Sequence, residues 1–257
     1  MNHLKKFLLN ITIILLLIVF FTSLIKIISW KQDNDINESE INNIEEKITI
    51  EEIENTDNMI EIEESNESLI NTDLEALKEI NDDVKGWIQV KGTNINYPFV
   101  QYKDNDYYLT HSFEKNKSKA GWIFMDYRNN TDFEDKNTII FGHNRFDKSM
   151  FGSLKNLLNS SWLKNKDNHI IKISTEKYNM NFQIFSVYKI KTTSDYLINN
   201  FNSENDFTKF IKMITKRSSY NFKVNVNNND KLLTLSTCSG SKNKLVVHAK
   251  LIKVQYK

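Results

Sequence analysis

KLLTLSTCSGSKNKLVVHAKLI, residues 231–252, holds two strand-sized apolar runs separated by a polar turn, and its Cys238 is the only cysteine in the 257-residue chain. The first run stops at that thiol. In the second, Leu245, Val247, Ala249 and Leu251 alternate with Val246, His248 and Lys250, the period of a strand with one more polar face. Further strand-sized runs rich in Ile, Val, Phe and Tyr precede the pair: GWIQV, INYPFVQ, GWIFMDY, NTIIFGH, HIIKIS and FQIFSVYKI, each bounded by Asn, Asp, Gly or Lys clusters. Many short strands in one chain predict a mainly β fold, a sandwich or a closed barrel. Two helical stripes interrupt them, Met150, Phe151, Leu154, Leu157 and Leu158, then Phe207, Phe210, Ile211 and Ile214 with Ser203 as N-cap; both read as core-facing.

The N-terminus has another character. Lys5 and Lys6 precede an apolar stretch from Phe7 to Ile25, followed by Lys26 and Trp30. This is close to the roughly 20 residues that span a bilayer. A cleaved signal peptide is the rival reading, but the stretch is long and no small-x-small cleavage site follows it. Residues 1–30 are therefore expected to be a transmembrane anchor, with the N-terminus cytoplasmic and everything after Trp30 extracellular. Residues 31–71 are expected to be an acidic linker: from Asp33 to Asn71 Lys47 is the only basic residue, and the segment reads as a solvated spacer with transient helix around Glu45 to Glu54. Order is expected from Thr72, where Thr72-x-x-Glu75 has the form of a capping box and Leu74, Leu77, Ile80 and Val84 follow at helical spacing. The third unit is 72–257.

A net charge of +1 gives no electrostatic case for nucleic acid. One cysteine excludes an intramolecular disulfide, and no compact ligand loop marks a metal site or calls for a cofactor. Cys238 is thus either a quiet core residue or a free reactive thiol. Of the five histidines, His3 precedes the anchor, His169 lies in a polar turn and reads as a surface residue, and His248 sits on the more polar strand face in a structural or solvated role. His143 differs: it ends NTIIFGH before a polar turn, as Cys238 ends KLLTLSTC, and two such strand ends can bring imidazole and thiol to one rim of a barrel. His111 is the weaker second candidate. The pairing serves acyl transfer: thiolate attacks, imidazole protonates a leaving amine, and a cation or backbone N–H groups stabilise the oxyanion.

In combination GWIQVKGTNINYPFVQYKDNDYYLTHSF (86–113), GWIFMDYRN (121–129), NTIIFGHN (137–144), MFGSLKNL (150–157), TTSDYL (192–197) and TLSTC (234–238) form a specific pattern. The chain resembles the sortases, membrane-anchored cysteine transpeptidases, and is most similar to class B. The resemblance implies an eight-stranded β-barrel with an N-terminal helical extension and a helix in the connection before the cysteine strand. It implies Cys238 as nucleophile and His143 as acid and base. The partners implied are secreted proteins with a C-terminal sorting motif, cleaved through a thioacyl intermediate, and peptidoglycan or its lipid-linked precursor as amine acceptor. Tyr196 and Leu197 match a segment near the substrate groove, and Ser236 and Thr237 flank the nucleophile; barrel packing is the other reading of all four. Where the family carries an arginine after the cysteine, this chain has Lys244, behind a connection that looks short. Lysine keeps the charge but not the planar fork, and Arg145 is a second cation, at the active site or simply solvated on its loop. A cysteine peptidase passing the acyl group to water, and a degenerate sortase-like binding domain, remain as alternatives.

Overall fold

The computed structural model describes residues 2–54, 58–238 and 243–257. Its strands are β1 (Ile50–Ile53), β2 (Met59–Glu61), β3 (Leu69–Thr72), β4 (Val84–Val90), β5 (Asn96–Val100), β6 (Phe124–Met125), β7 (Asn137–His143), β8 (Ile170–Thr175), β9 (Tyr178–Lys191), β10 (Leu232–Cys238) and β11 (Asn243–Tyr256). The α-helices are α1 (Asn2–Lys47), α2 (Glu75–Lys78), α3 (Ser160–Lys164) and α4 (Glu204–Arg217). Eight strands in the order β10-β7-β6-β5-β4-β8-β9-β11 close on themselves through a β10–β11 pairing. The result is the expected eight-stranded barrel, which leaves no open edge within the ring. Most neighbours are antiparallel; β10 with β7 and β5 with β6 are parallel. Strand β11 pairs through Val246–Lys250 with β10 and through Lys253–Gln255 with β2, so β2 joins as a ninth, outer strand.

Period-two alternation divides the buried residues between two cores. Leu233, Leu235, Leu245, Val247 and Ala249 fill the barrel interior with residues such as Trp87, Phe99, Trp122 and Phe182. On the outer face, Leu232, Val246, Phe185 and Tyr188 meet α4 through Phe207, Phe210, Ile211 and Ile214, as their spacing predicts. Ser203 caps this helix, its Oγ accepting from the Asp206 N–H at 3.1 Å. Of the Met150–Leu158 stripe, Met150, Phe151, Leu154 and Leu157 are buried and Leu158 half-buried, but its regular part, Gly152–Leu158, is a 3-10 helix.

Two local expectations are corrected. Thr72 is not a helix cap: it ends β3, buried, and its Oγ1 donates to Ser174 Oγ at 2.9 Å, while Asp73 Oδ1 accepts from the Glu75 N–H at 3.0 Å at the start of the single turn α2. The acidic segment is not a solvated spacer. The N-terminal helix runs unbroken to Lys47, and from Ser29 onward one stripe, Ser29, Asp33, Asn37, Glu40 and Ile44, turns inward; Ser112 Oγ donates to the Glu40 carboxylate at 2.7 Å. Beyond it β1 pairs with β3. The acidic residues supply counter-charge: Lys172, Lys250 and Lys253 are buried on the barrel wall, and Glu67, Glu63 and Glu61, respectively, reach them. Buried ammonium groups require such partners, so the segment is held where the lysines are.

Candidate active site

Strands β7 and β10 are separated by β8, β9 and α4, a crossover long enough for parallel pairing. Their register runs from Leu232 opposite Asn137 to Cys238 opposite His143 at the shared strand ends. Adjacent strands lie about 4.8 Å apart, so the backbones of the two sequence candidates are neighbours. Beyond Cys238, residues 239–242, the connection that reads as short in the sequence, lie outside the described residues.

His143 is half-buried, and its Nε2 donates to the Leu109 carbonyl at 2.7 Å. A proton fixed on Nε2 leaves Nδ1 as the nitrogen that exchanges one in the neutral ring. The ring also lies against Gly121, whose φ is +57°; an added Cβ there would stand 2.6 Å from His143 Cδ2 and 2.6 Å from the Tyr108 carbonyl oxygen. The Phe151 N–H donates to the His143 carbonyl at 3.0 Å, closing the 144–150 hairpin behind it. Neither the Leu109 carbonyl nor the function of Gly121 was legible: a backbone acceptor leaves no mark in sequence, and only the Gly in GWIFMDY hinted at a close approach.

Lys244 is half-buried on β11, opposite Ile190 of β9. Ser236 pairs with Val246, so Cys238 and Lys244 each lie two residues beyond that pair on adjacent strands. Around them, three of the four flanking candidates are buried. Tyr196 OH and Ser236 Oγ share a hydrogen bond of 2.9 Å, and Thr237 Oγ1 accepts from the Leu245 N–H at 3.0 Å. Leu197 is partly exposed and packs against both cores, its carbonyl accepting from Arg128 Nη2 at 3.2 Å.

The other sequence candidates sit elsewhere. His111 stacks on Tyr107, ring centroids 4.0 Å apart, with Nδ1 2.8 Å from the Tyr107 carbonyl oxygen. His169 is not a surface residue: it is buried against Trp162 and bonded to the Leu163 carbonyl at 3.1 Å, and burial lowers its pKa. His248 is structural but not solvated. It is fully buried, with Tyr188 OH 2.9 Å from Nε2 and Thr234 Oγ1 2.9 Å from Nδ1, and burial, aided by the Arg217 charge, pushes its pKa down to about 3. Thr234 donates onward to Asn137 Oδ1 at 2.7 Å, so it accepts from His248 Nδ1–H and Nε2 accepts from Tyr188. Arg145 is not a solvated loop cation; it binds Asp147 at 2.7 Å and Asn34 of α1. Among the described residues, no group of three or more His, Cys, Asp or Glu is placed to hold a metal ion. A cavity of about 460 Å³ lies at the other end of the barrel, lined by Leu232 and Thr138 at the starts of β10 and β7, and so is remote from the paired strand ends.

Comparison with known proteins agrees with this geometry. The sortase domain family matches residues 88–252. Sortase B of Listeria monocytogenes is 37% identical over 187 residues, covering 71% of this chain and 75% of that protein. The crystal structure of sortase B from Bacillus anthracis in complex with AAEK1 superposes with a TM-score of 0.71 at 34% identity, covering 88% of this chain and 99% of that one. A Staphylococcus aureus sortase B–substrate complex gives a TM-score of 0.66 at 37% identity over 70% of this chain and 84% of that one. A closed barrel with two parallel strands ending in cysteine and histidine, and relatives of this likeness over most of the chain, have one reading: the chain belongs to the sortase B family of cysteine transpeptidases.

Proposed function

We propose that Cys238 is the nucleophile, His143 the acid and base, and Lys244 the side-chain cation that stabilises the oxyanion. The observation that carries the reading is the parallel register that sets Cys238 opposite His143. The Cys238 thiolate attacks the scissile carbonyl of a sorting motif near the C-terminus of a secreted protein, forming a C–S bond and a tetrahedral oxyanion. As the C–N bond breaks, imidazolium at His143 gives its proton to the leaving amine, and a thioester remains on Cys238. An amine of peptidoglycan or its lipid-linked precursor then loses a proton to His143 and attacks the thioester. The new amide leaves and thiolate returns.

Leu109 and Gly121 keep the imidazole in one orientation through these steps. Tyr196, Ser236 and Thr237 are positioning residues that hold the cysteine strand, and Leu197 is the member of that group with surface to offer a substrate. Residues 1–30 form the anchor and 72–257 the extracellular catalytic domain. The described residues of 31–71 form a collar bound to that domain. The helix of residues 3–47 is long and apolar enough to cross a bilayer.

The test is product analysis of the full-length protein in detergent with sorting-motif peptides, with and without an added amine. Amine-linked product that disappears in Cys238→Ala is the expected result. Hydrolysis alone across acceptors would favour the peptidase reading. Failure of a thiol-reactive peptide analogue to label the wild type would favour the binding domain.

A further inference from the structure

From Ser29 onward the polar stripe of α1 lies against two hairpins, and each of them leads to His143. The arms of the first, residues 109–121, are joined by the Ser118 N–H to the Thr110 carbonyl at 2.9 Å and by the Ser112 N–H to the Asn116 carbonyl at 2.8 Å. At its base stand Leu109, whose carbonyl accepts from His143, and Gly121, which lies against the imidazole. The second, residues 144–150, starts at the residue after His143 and is closed by the Asn144–Met150 bridge.

The helix grips both hairpins with polar side chains. Along the first, Lys119 Nζ donates to Ser29 Oγ at 2.6 Å and Asn43 Nδ2 donates to the Glu114 carboxylate at 3.2 Å. Between those two contacts the buried Glu40 carboxylate accepts from Ser112 Oγ at 2.7 Å and from the Glu114 N–H at 3.4 Å. On the second, Asn34 Oδ1 accepts from Arg145 Nη2, and Asp147 holds the same guanidinium at 2.7 Å. A buried carboxylate is tolerated only where donors meet it, so Glu40 fixes the tip of the first hairpin. Ser112 is three residues from Leu109, at most about 11 Å of chain, and Arg145 is two residues from His143, at most about 7 Å.

We infer that Asn34 and Glu40 are positioning residues for the proposed reaction: through them α1 braces the two hairpins against each other and so sets the His143 imidazole. The inference rests on the reading of His143 as acid and base. An apolar stripe would attach a helix to a barrel as well, whereas a buried hydrogen-bonded network specifies one arrangement. The polar stripe of α1 therefore serves the geometry of the histidine rather than adhesion alone.

The test uses the full-length chain in detergent and compares Glu40→Ala, Asn34→Ala, the double variant, Glu40→Gln and, on the exposed face of the same helix, Glu38→Ala. Two quantities are read: kcat and KM for cleavage of sorting-motif peptides, and the exchange with water of the His143 Nε2–H proton, followed by NMR of histidine-labelled protein and assigned by its absence in His143→Gln. The double variant is expected to lose about tenfold in kcat, a fraction of the 100-fold that a misplacement of about 1 Å costs, with KM within about twofold of wild type. Its Nε2–H proton is expected to exchange severalfold faster. Glu40→Gln keeps an acceptor oxygen for Ser112 and should retain most of the turnover, and Glu38→Ala should match wild type in both readouts. A double variant that loses only stability, with wild-type kcat and wild-type exchange at His143, would overturn the positioning role. So would a rise in KM with the imidazole proton undisturbed. Undiminished turnover in His143→Gln would instead overturn the acid and base reading, and the positioning role with it.

Discussion

Replacing Gly121 by alanine tests whether the fixed orientation of His143 matters. The new methyl would lie 2.6 Å from His143 Cδ2, 2.6 Å from the Tyr108 carbonyl oxygen and 2.9 Å from that of Leu109, against an ordinary carbon contact of about 3.5–4.0 Å. The Tyr108 carbonyl is held by the Trp122 N–H at 2.9 Å, so the ring gives way by about 1 Å, straining its 2.7 Å bond to Leu109. Misplacement on that scale costs on the order of 100-fold in rate. Left-handed backbone costs alanine about 1–2 kcal/mol and overpacking about 1–3 kcal/mol more. Stability should therefore fall by about 2–5 kcal/mol, read from urea unfolding, while kcat/KM of the remaining folded protein falls roughly 100-fold. Gly92→Ala is the control. Its φ is +69° and its added Cβ would meet Asn168 and Trp162 at 2.8 Å, so it carries similar strain away from His143. It should lose comparable stability and keep its turnover. Wild-type turnover in Gly121→Ala, or equal loss in both variants, would refute the reasoning.

Three further outcomes follow from individual residues. His248 has a folded-state pKa of about 3 against 6.5 for an ordinary histidine, so the unfolded chain binds the extra proton between those values. Its contribution to stability is complete above about pH 6.5 and is lost as pH falls toward 3, at up to about 1.4 kcal/mol per pH unit; His248→Gln should flatten that slope in denaturation curves taken at several pH values. Lys244→Ala should lower kcat/KM by roughly tenfold to a thousandfold, and Lys244→Arg should retain or raise it; peptide-cleavage kinetics unchanged by the alanine would remove Lys244 from the site. Tyr196→Phe deletes the hydroxyl bonded to Ser236 and should cost about 1 kcal/mol of stability, with kcat reduced more than KM changes if the bond positions the cysteine strand.

How much of this was legible depended on whether a pattern is local and apolar. The eight barrel strands and α4 announce themselves by period-two and helical spacing of Ile, Val, Leu and Phe, and each lies where its pattern puts it. The inward stripe of α1 does not, because apart from Ile44 it is Ser29, Asp33, Asn37 and Glu40, and hydropathy reads such residues as solvated. Their burial is stabilised by partners far along the chain, as Glu40 by Ser112. For the same reason the acids of residues 61–67 looked like a spacer until the buried lysines of β8 and β11 came beside them. His169 was misplaced, and of the two readings of His248 only the structural one holds: a polar side chain in a polar-looking context can be buried if its ring finds partners, as His169 does at one nitrogen and His248 at both, and those partners are invisible in one dimension. The candidate site was half legible. Cys238 and His143 each end an apolar run, but the register that sets them opposite spans the β8, β9 and α4 crossover.

The most direct test of the central claim is intact-protein and peptide-level mass spectrometry of the full-length chain mixed with a cleavable sorting-motif peptide and no amine acceptor. The account predicts an added mass equal to the acyl portion of the peptide, located on Cys238, absent in Cys238→Ala and formed far more slowly in His143→Ala. Peptide cleavage that persists in Cys238→Ala, or an acyl group located on another residue, would contradict it.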